Sequence, residues 1–305
     1  MESTLDQVVL NFNKDSLVLL NICIAFIMFG VALELKLKDF ALLWKTPKPI
    51  MVGLLSQLII LPLLTYVIIW IGNPTPSIAL GMFLVAACPG GNVSNFYSSL
   101  SKGNVALSVS LTAIVSTVAI VLTPFNFTLW AGAYGPTSEL LEKFNLNIWN
   151  VVTTVIIILA IPLFLGMLFN NHYPGITKRI TKPIKRLSII IFAGFVIAAL
   201  SANFDHFLEH IMEVIFIVFL HNLIALSSGY GSSTFFKLSD PDRRSITIET
   251  GIQNSGLALV IIFDFFQGLG GMAFVAAWWG VWHLISGGII SFFWQTRNIE
   301  IVQRY

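Results

Sequence analysis

A carboxylate stands within one of the most apolar regions of this sequence. The stretch TIETGIQNSG, residues 247–256, places Glu249 just before the run LALVIIFDFF. An ionisable side chain inside a hydrocarbon environment is costly, and it marks a functional site by default. No lysine or arginine is available at the same depth, so the counter-charge is expected to be a bound cation or a proton.

Other apolar segments supply oxygen donors that could complete such a site. Ser108 and Thr112 are four residues apart and share a helix face. Carboxylate, hydroxyl and amide oxygens suit a small hard cation such as Na⁺ better than a transition metal. The candidates are Gln57, Ser94, Asn95, Ser108, Thr112, Glu249, Thr250 and Gln253. Two simpler readings stay open, a protonated structural Glu249 and small residues at a helix interface.

The composition predicts where these residues lie. Of 305 residues, 56% are hydrophobic and only 10% are charged, with a mean hydropathy of +0.84. Soluble domains carry about 25% charged residues. Apolar runs of about twenty residues are typical of membrane helices, not of barrel strands. The net charge of +2 argues against nucleic acid, and Cys23 and Cys88 indicate neither a disulfide nor a metal site.

Nine apolar segments predict nine transmembrane helices. They are residues 16–36, 50–72, 78–100, 104–130, 148–170, 187–204, 211–236, 245–266 and 272–295. With the N-terminus outside and the C-terminus inside, only Lys14 and Lys143 among the 17 Lys and Arg residues lie outside. This orientation follows the positive-inside rule. We therefore predict a multi-pass protein of a plasma or inner membrane.

Two of the predicted spans are interrupted. The third contains CPGGN, residues 88–92, in which a proline and two glycines oppose a helix. The eighth contains ETGIQN, residues 249–254. Spans three and eight run in opposite directions, and paired broken helices in inverted halves indicate the site of a secondary transporter. Free N–H groups at the half-helix N-termini would favour an anion.

Several of these motifs resemble one family. The segments IMFGVALELKLKDF, CPGGNVSN, KGNVALSVSLT, ETGIQNSGLA and VWHLISG are similar to the bile acid:sodium symporters. The resemblance implies an all-α inverted-repeat fold in a nine-helix version, with two broken helices that cross. It also implies a panel domain of residues 1–49 and 148–204, a core domain of residues 50–130 and 207–296, and a cytoplasmic tail of residues 297–305.

The same resemblance implies specific binding residues. Sodium site 1 would comprise Ser94, Asn95, Ser108, Thr112 and Glu249, and sodium site 2 would comprise Gln57, Glu249, Thr250, Ile252 and Gln253. Substrate contacts would involve Asn92, Asn254 and His283. The expected function is sodium-coupled symport of an organic anion, either bile-salt-like or a small carboxylate such as pantoate or pyruvate. No cofactor is expected beyond the co-transported Na⁺.

Two alternative functions stay open at this point. A proton could replace Na⁺ as the coupling ion at Glu249. An intramembrane enzyme could instead use Glu249 as a general base near His221 or His283, although the sequence offers no nucleophile or paired-acid motif at a suitable spacing.

Overall fold

The computed structural model describes residues 4–6, 14–33, 45–91, 93–144, 148–201 and 204–297. Within these ranges the regular elements are helices, and the only β-type pairing is one isolated bridge. The predicted all-α class is therefore confirmed.

Twelve helices follow one another in the described part of the chain. A short 3₁₀ turn, Thr4–Asp6, precedes them. The twelve helices are α1 Lys14–Ala32, α2 Pro47–Gly72, α3 Pro76–Ala87, α4 Val93–Leu100, α5 Val105–Ala133, α6 Gly135–Lys143, α7 Ile148–Val155 continuing to Ile161–His172, α8 Pro174–Ser201, α9 Phe204–Phe235, α10 Asp240–Gly251, α11 Ser255–Phe265 and α12 Gly270–Gln295.

Five of these helices are long and apolar enough to cross a bilayer, and they match predicted spans two, four, five, seven and nine. They are Pro47–Gly72, Val105–Ala133, Trp149–His172, Ile211–Phe235 and Gly270–Gln295. Shorter apolar helices at Asn21–Gly30, Pro76–Ala87 and Ser255–Phe265 overlap predicted spans one, three and eight. The chain is a multi-pass membrane protein, whereas the total of nine spans stays a prediction.

Two predicted loops contain helices. Helix α8 begins at Pro174, well before the predicted start of span six at residue 187. Proline fits the first turn of a helix, and the lysines and arginines that follow are good helix formers, so the helix extends beyond its apolar part. The short helix α6, also with a proline in its first turn, lies in the predicted loop between spans four and five.

The hydrogen-bond pattern of helix α2 changes from α-helical to π-helical just before a proline. Residues Ser56–Ile60 form a π-helical turn just before Leu61 and Pro62. Because Pro62 has no N–H, the carbonyl of Leu58 loses its usual helical donor four residues on. The side chain of Asn126, on α5, donates to that carbonyl at 3.0 Å. Helix α7 has the same arrangement, a π-helical turn at Ile156–Ala160 followed by Pro162.

The largest apolar core joins α3, α11 and α12. Helices α3 and α12 approach closely because each has a glycine at their contact, Gly81 on α3 and Gly271 on α12. A β-carbon on Gly81 would lie 2.9 Å from the Met272 Cα, and one on Gly271 would overlap the Ser77 hydroxyl. This packing fixes α3, which precedes the first interruption, against α12, the helix after the second broken helix.

Candidate functional site

Two non-helical segments pair with each other in the middle of the fold. Helix α3 ends at Ala87 and α4 begins at Val93, while α10 ends at Gly251 and α11 begins at Ser255. Gly90 and Gln253 form an antiparallel bridge. The Gly91 N–H donates to the Ile252 carbonyl and the Asn254 N–H donates to the Pro89 carbonyl, both at 2.8 Å. Each interruption thus satisfies backbone groups that the other leaves without helical partners.

Side chains from neighbouring helices satisfy two more carbonyls at these helix ends. The Thr123 hydroxyl on α5 donates to the Ala87 carbonyl at 2.8 Å. The Asn222 amide on α9 donates to the Gly251 carbonyl at 2.7 Å. Neither residue was predicted from the sequence. The one available signal was a polar side chain within a long apolar helix, which Asn222 provides in the run FLHNLIAL.

Glu249 lies on α10, fully buried, and three hydroxyl groups converge on its carboxylate. Ser94 on α4 donates to Oε2 at 2.5 Å, and the Ser108 hydroxyl on α5 lies 3.0 Å from the same oxygen. The Thr112 hydroxyl lies 2.7 Å from Oε1. The amide oxygen of Asn95 lies 2.8 Å from the Ser108 hydroxyl and 3.3 Å from the Thr112 hydroxyl. The structure therefore brings together all five residues predicted for sodium site 1.

Oxygens outnumber hydrogens in this cluster. The three hydroxyls make six close contacts with acceptor oxygens, counting the bond from Thr112 to the Ser108 carbonyl. Each hydroxyl carries one hydrogen. Three hydroxyl hydrogens cannot give each of the six contacts a hydrogen of its own, and a bound cation would stabilise the same set of oxygens.

A second group of oxygens lies beside Gly90. A β-carbon on Gly90 would lie 2.7 Å from Glu249 Oε1 and 3.2 Å from Gln57 Oε1, so both oxygens face the space that glycine leaves open. Among the described residues, neither polar atom of the buried Gln57 side chain has a hydrogen-bond partner, and neither does Gln253 Oε1. Unpaired buried amides call for a ligand or water.

Each of the two backbone carbonyls predicted for sodium site 2 already accepts one hydrogen bond. The Gln253 amide donates to the Thr250 carbonyl at 2.8 Å, and the Ile252 carbonyl accepts the bond from Gly91. A carbonyl has two acceptor positions, so each retains one for a cation. The Thr250 side chain contacts the Ser56 hydroxyl at 3.0 Å.

Two of the three predicted substrate residues, Asn254 and His283, lie in the described part of the chain. Asn254 caps α11, where its Oδ1 accepts from the Leu257 N–H at 3.0 Å, and its amide donates to Met28 on α1 at 3.7 Å. His283 lies on α12 with its Nδ1 buried and without a described partner. Asn92 lies outside the described residues. His221 contacts Thr65 at 2.8 Å rather than Glu249, so this histidine does not form the acid–base pair of the enzyme alternative.

Comparison with known proteins identifies the family. The model of the Sodium Bile acid symporter family matches residues 21–210. The chain belongs to the sodium bile acid symporter family. This membership confirms the resemblance seen in the sequence, and it confirms that the chain is a transporter rather than an enzyme.

Relatives of the sodium bile acid symporter family match most of the chain. The uncharacterized sodium-dependent transporter YocS of Bacillus subtilis is 29% identical over 278 residues, covering 91% of this chain and 83% of YocS. The probable sodium/metabolite cotransporters BASS5 of Arabidopsis thaliana and BASS1 of rice, both chloroplastic, are 29% and 30% identical. The matches cover 80% and 90% of this chain but only 60% and 65% of those relatives.

Proposed function

We propose that this protein is a sodium-coupled symporter of an organic anion that works by alternating access. The observation that carries the proposal is the Glu249 cluster, in which a buried carboxylate and hydroxyl and amide oxygens converge with too few hydrogens for their contacts. Sodium is the hard monovalent cation that such an all-oxygen set favours. The names of YocS and the BASS relatives, which specify sodium, support the same ion.

Two cations would share Glu249. Ser94, Asn95, Ser108 and Thr112 would hold one on the α4 and α5 side of the carboxylate. Gln57, Gln253 and the carbonyls of Thr250 and Ile252 would hold the other, and the open space beside Gly90 supports this position. Binding of two positive charges at one carboxylate would leave the site net positive, which favours simultaneous binding of an anion.

The substrate would be an organic anion, bile-salt-like or a small carboxylate such as pantoate or pyruvate. Helices α4 and α11 both begin at the paired interruptions, and the positive ends of their helix dipoles favour a carboxylate there. The Asn254 side chain is oriented by its cap, and within the described part of the chain its amide has only the Met28 thioether as acceptor, so it can donate to an anion. Asn92 and His283 are proposed as further contacts. The word metabolite in the BASS names supports a small substrate.

The proposed architecture has nine transmembrane helices in inverted halves. Residues 1–49 and 148–204 would form the panel domain, and residues 50–130 and 207–296 the core domain with the crossing helices. The N-terminus would lie outside, and residues 297–305 would form a cytoplasmic tail in a plasma or inner membrane. The antiparallel bridge between the two interruptions supports a crossing of the two broken helices.

Uptake into proteoliposomes tests the proposal. Labelled pantoate, pyruvate and taurocholate would be offered to purified protein with Na⁺ or choline outside, at fixed pH. We expect uptake of at least one anion, chemically unchanged, only with Na⁺. Proton coupling is the second candidate because Glu249 has no basic partner among the described residues. Uptake that continues in choline and follows an imposed pH gradient would establish it instead.

A further inference from the structure

One buried, positively charged side chain lies outside the proposed ion and substrate sites. Arg244 is only 3% exposed and lies on α10, five residues before Glu249. This spacing places it about 7.5 Å along the helix axis from the carboxylate. A buried guanidinium needs several acceptors, and those acceptors show which elements it holds.

Arg244 joins three helices at one end of the fold. Its Nη1 donates to the Ser101 carbonyl, just after α4, at 2.8 Å and to the Trp294 carbonyl in the last turn of α12 at 3.0 Å. Its Nη2 pairs with Asp240 in the first turn of α10 at 2.6 Å. Both carbonyls lie at helix C-termini, so the guanidinium bonds two helix ends at once, although the Trp294 carbonyl also accepts from the Arg297 N–H at 3.2 Å.

Neighbouring contacts tie α5 to the same end. The Asn104 side chain, which caps α5, donates to Asp242 at 2.7 Å. The backbone N–H of Asn104 donates to the Pro241 carbonyl at 3.0 Å. The Ser245 hydroxyl donates to the Asn104 carbonyl at 2.9 Å. The helices that carry Ser94, Ser108 and Glu249 are therefore fastened together beside Arg244.

A series of hydrogen bonds, joined through the covalent structure of Ser101 and Ser98, leads from Arg244 to the carboxylate. After the bond from Arg244 to the Ser101 carbonyl, the Ser101 hydroxyl donates to the Ser98 carbonyl at 3.0 Å. The Ser98 hydroxyl donates to the Ser108 hydroxyl at 3.1 Å, and Ser108 lies 3.0 Å from Glu249. Ser98, Ser101 and Ser108 are all fully buried, so no solvent competes with these bonds.

We propose that Arg244 is a positioning residue for the cation site and acts through Ser101 and Ser98 on Ser108. The proposal rests on the proposed function, because it assumes that the Glu249 cluster binds Na⁺. Arginine suits this role because its planar guanidinium holds acceptors in several directions at once, which a lysine ammonium on a flexible stem cannot do. Without that geometry, α4 and α5 can shift relative to α10, and the oxygens lose their convergence.

The experiment compares Arg244→Lys with Arg243→Lys on the full-length protein in detergent. The adjacent Arg243 makes one long bond, 3.4 Å, to the Leu238 carbonyl and lies over the Tyr230 ring, away from this chain of bonds. Na⁺ replaces choline at constant ionic strength, and the apparent Tm at each concentration gives the half-saturating Na⁺ concentration. We expect Arg244→Lys to raise it about tenfold, as is typical for groups behind metal ligands, and Arg243→Lys to leave it unchanged.

Ser98→Ala provides a second variant that keeps the guanidinium in place. It should raise the half-saturating Na⁺ concentration as well, and the double variant with Arg244→Lys should show less than the product of the two effects, because both act through one chain. A purely structural arginine would lower the Tm equally with and without Na⁺ and leave the half-saturating Na⁺ concentration unchanged, so the double variant would match Ser98→Ala alone.

The outcomes separate this proposal from the proposed function. A wild type whose Tm ignores Na⁺ overturns both. A wild type that responds to Na⁺, together with an unchanged half-saturating concentration in Arg244→Lys and Ser98→Ala, overturns only the positioning role of Arg244. If Arg244→Lys does not fold, Ser98→Ala alone decides, since an unchanged Na⁺ response in that variant contradicts the proposed chain.

Discussion

Glu249→Gln removes a charge while keeping the shape of the side chain. A cation about 4 Å from a carboxylate gains roughly 4 kcal/mol at an effective dielectric of 20. Loss of even half of that would weaken each cation site by more than tenfold, since about 1.4 kcal/mol corresponds to one decade. We expect the variant to lose Na⁺-driven anion uptake. If Glu249 is instead a neutral acid in the native protein, glutamine mimics it and Na⁺-driven uptake persists.

Gly90→Ala and Gly91→Ala form a matched pair beside the carboxylate. A β-carbon at Gly90 would lie 2.7 Å from Glu249 Oε1, whereas the nearest atom to a β-carbon at Gly91 is a methyl of Ile252 at 3.4 Å. Neither glycine has a positive φ, so strain does not separate them. Gly90→Ala should raise the half-saturating Na⁺ concentration for uptake about tenfold, and Gly91→Ala should change it by less than about twofold. Equal effects in the two variants would contradict a cation position beside Gly90.

Individual residue types predicted the site only in part. The composition placed Glu249 in the membrane, and the oxygen donors followed from residue type and from the family resemblance. Thr123 was missed because a helical threonine can donate either to its own helix or to a neighbour. Thr117 donates to the Ala113 carbonyl four residues back, while Thr123 in the same helix donates across to α3. Nothing in the local sequence distinguishes the two, since the choice depends on which helix packs alongside.

This difference between two threonines gives a test at the level of helix packing. Thr123→Val removes the donor to the Ala87 carbonyl, which lies at the end of α3 and has no intrahelical donor. An unpaired buried carbonyl costs about 1–3 kcal/mol. Thr117→Val leaves the Ala113 carbonyl with its ordinary helical donor. We therefore expect a lower apparent Tm for Thr123→Val than for Thr117→Val, measured in the same detergent. Indistinguishable Tm values would show that α3 does not depend on this bond.

Helix boundaries were predicted less well than helix identity, and α8 shows why. Hydropathy reports where a segment leaves the apolar phase, but a helix ends where its backbone hydrogen bonds end. Lysine and arginine lower the hydropathy of a segment but are good helix formers. Helix α8 therefore begins at Pro174, although the apolar run begins near residue 187. The interruption at Cys88–Gly91 was predictable because proline and glycine act on the backbone itself. The pairing of Gly90 with Gln253 was not, because it is a long-range contact without a side-chain signature.

The predicted orientation of the whole protein can be tested with two exposed lysines. Lys143 ends α6 and is predicted to lie outside, while Lys178 on α8 is predicted to lie inside. After replacement of Cys23 and Cys88 by serine and alanine, a membrane-impermeant maleimide added to intact cells should label Lys143→Cys and spare Lys178→Cys. Disruption of the cells should expose Lys178→Cys to the reagent. Labelling of both positions in intact cells would exclude the nine-span topology.

The backbone pairing of the two interruptions also sets an order of events during synthesis. Ser94 and Glu249 are 155 positions apart, and the backbone partners of residues 89–91 lie equally late in the chain. At translation rates of about 5–20 residues per second, the first interruption waits on the order of ten seconds for its partner. Throughout that interval the Pro89 carbonyl and the Gly91 N–H lack the partners that residues 252–254 provide. We therefore expect these two groups to be satisfied by water or by the insertion machinery until α10 and α11 arrive.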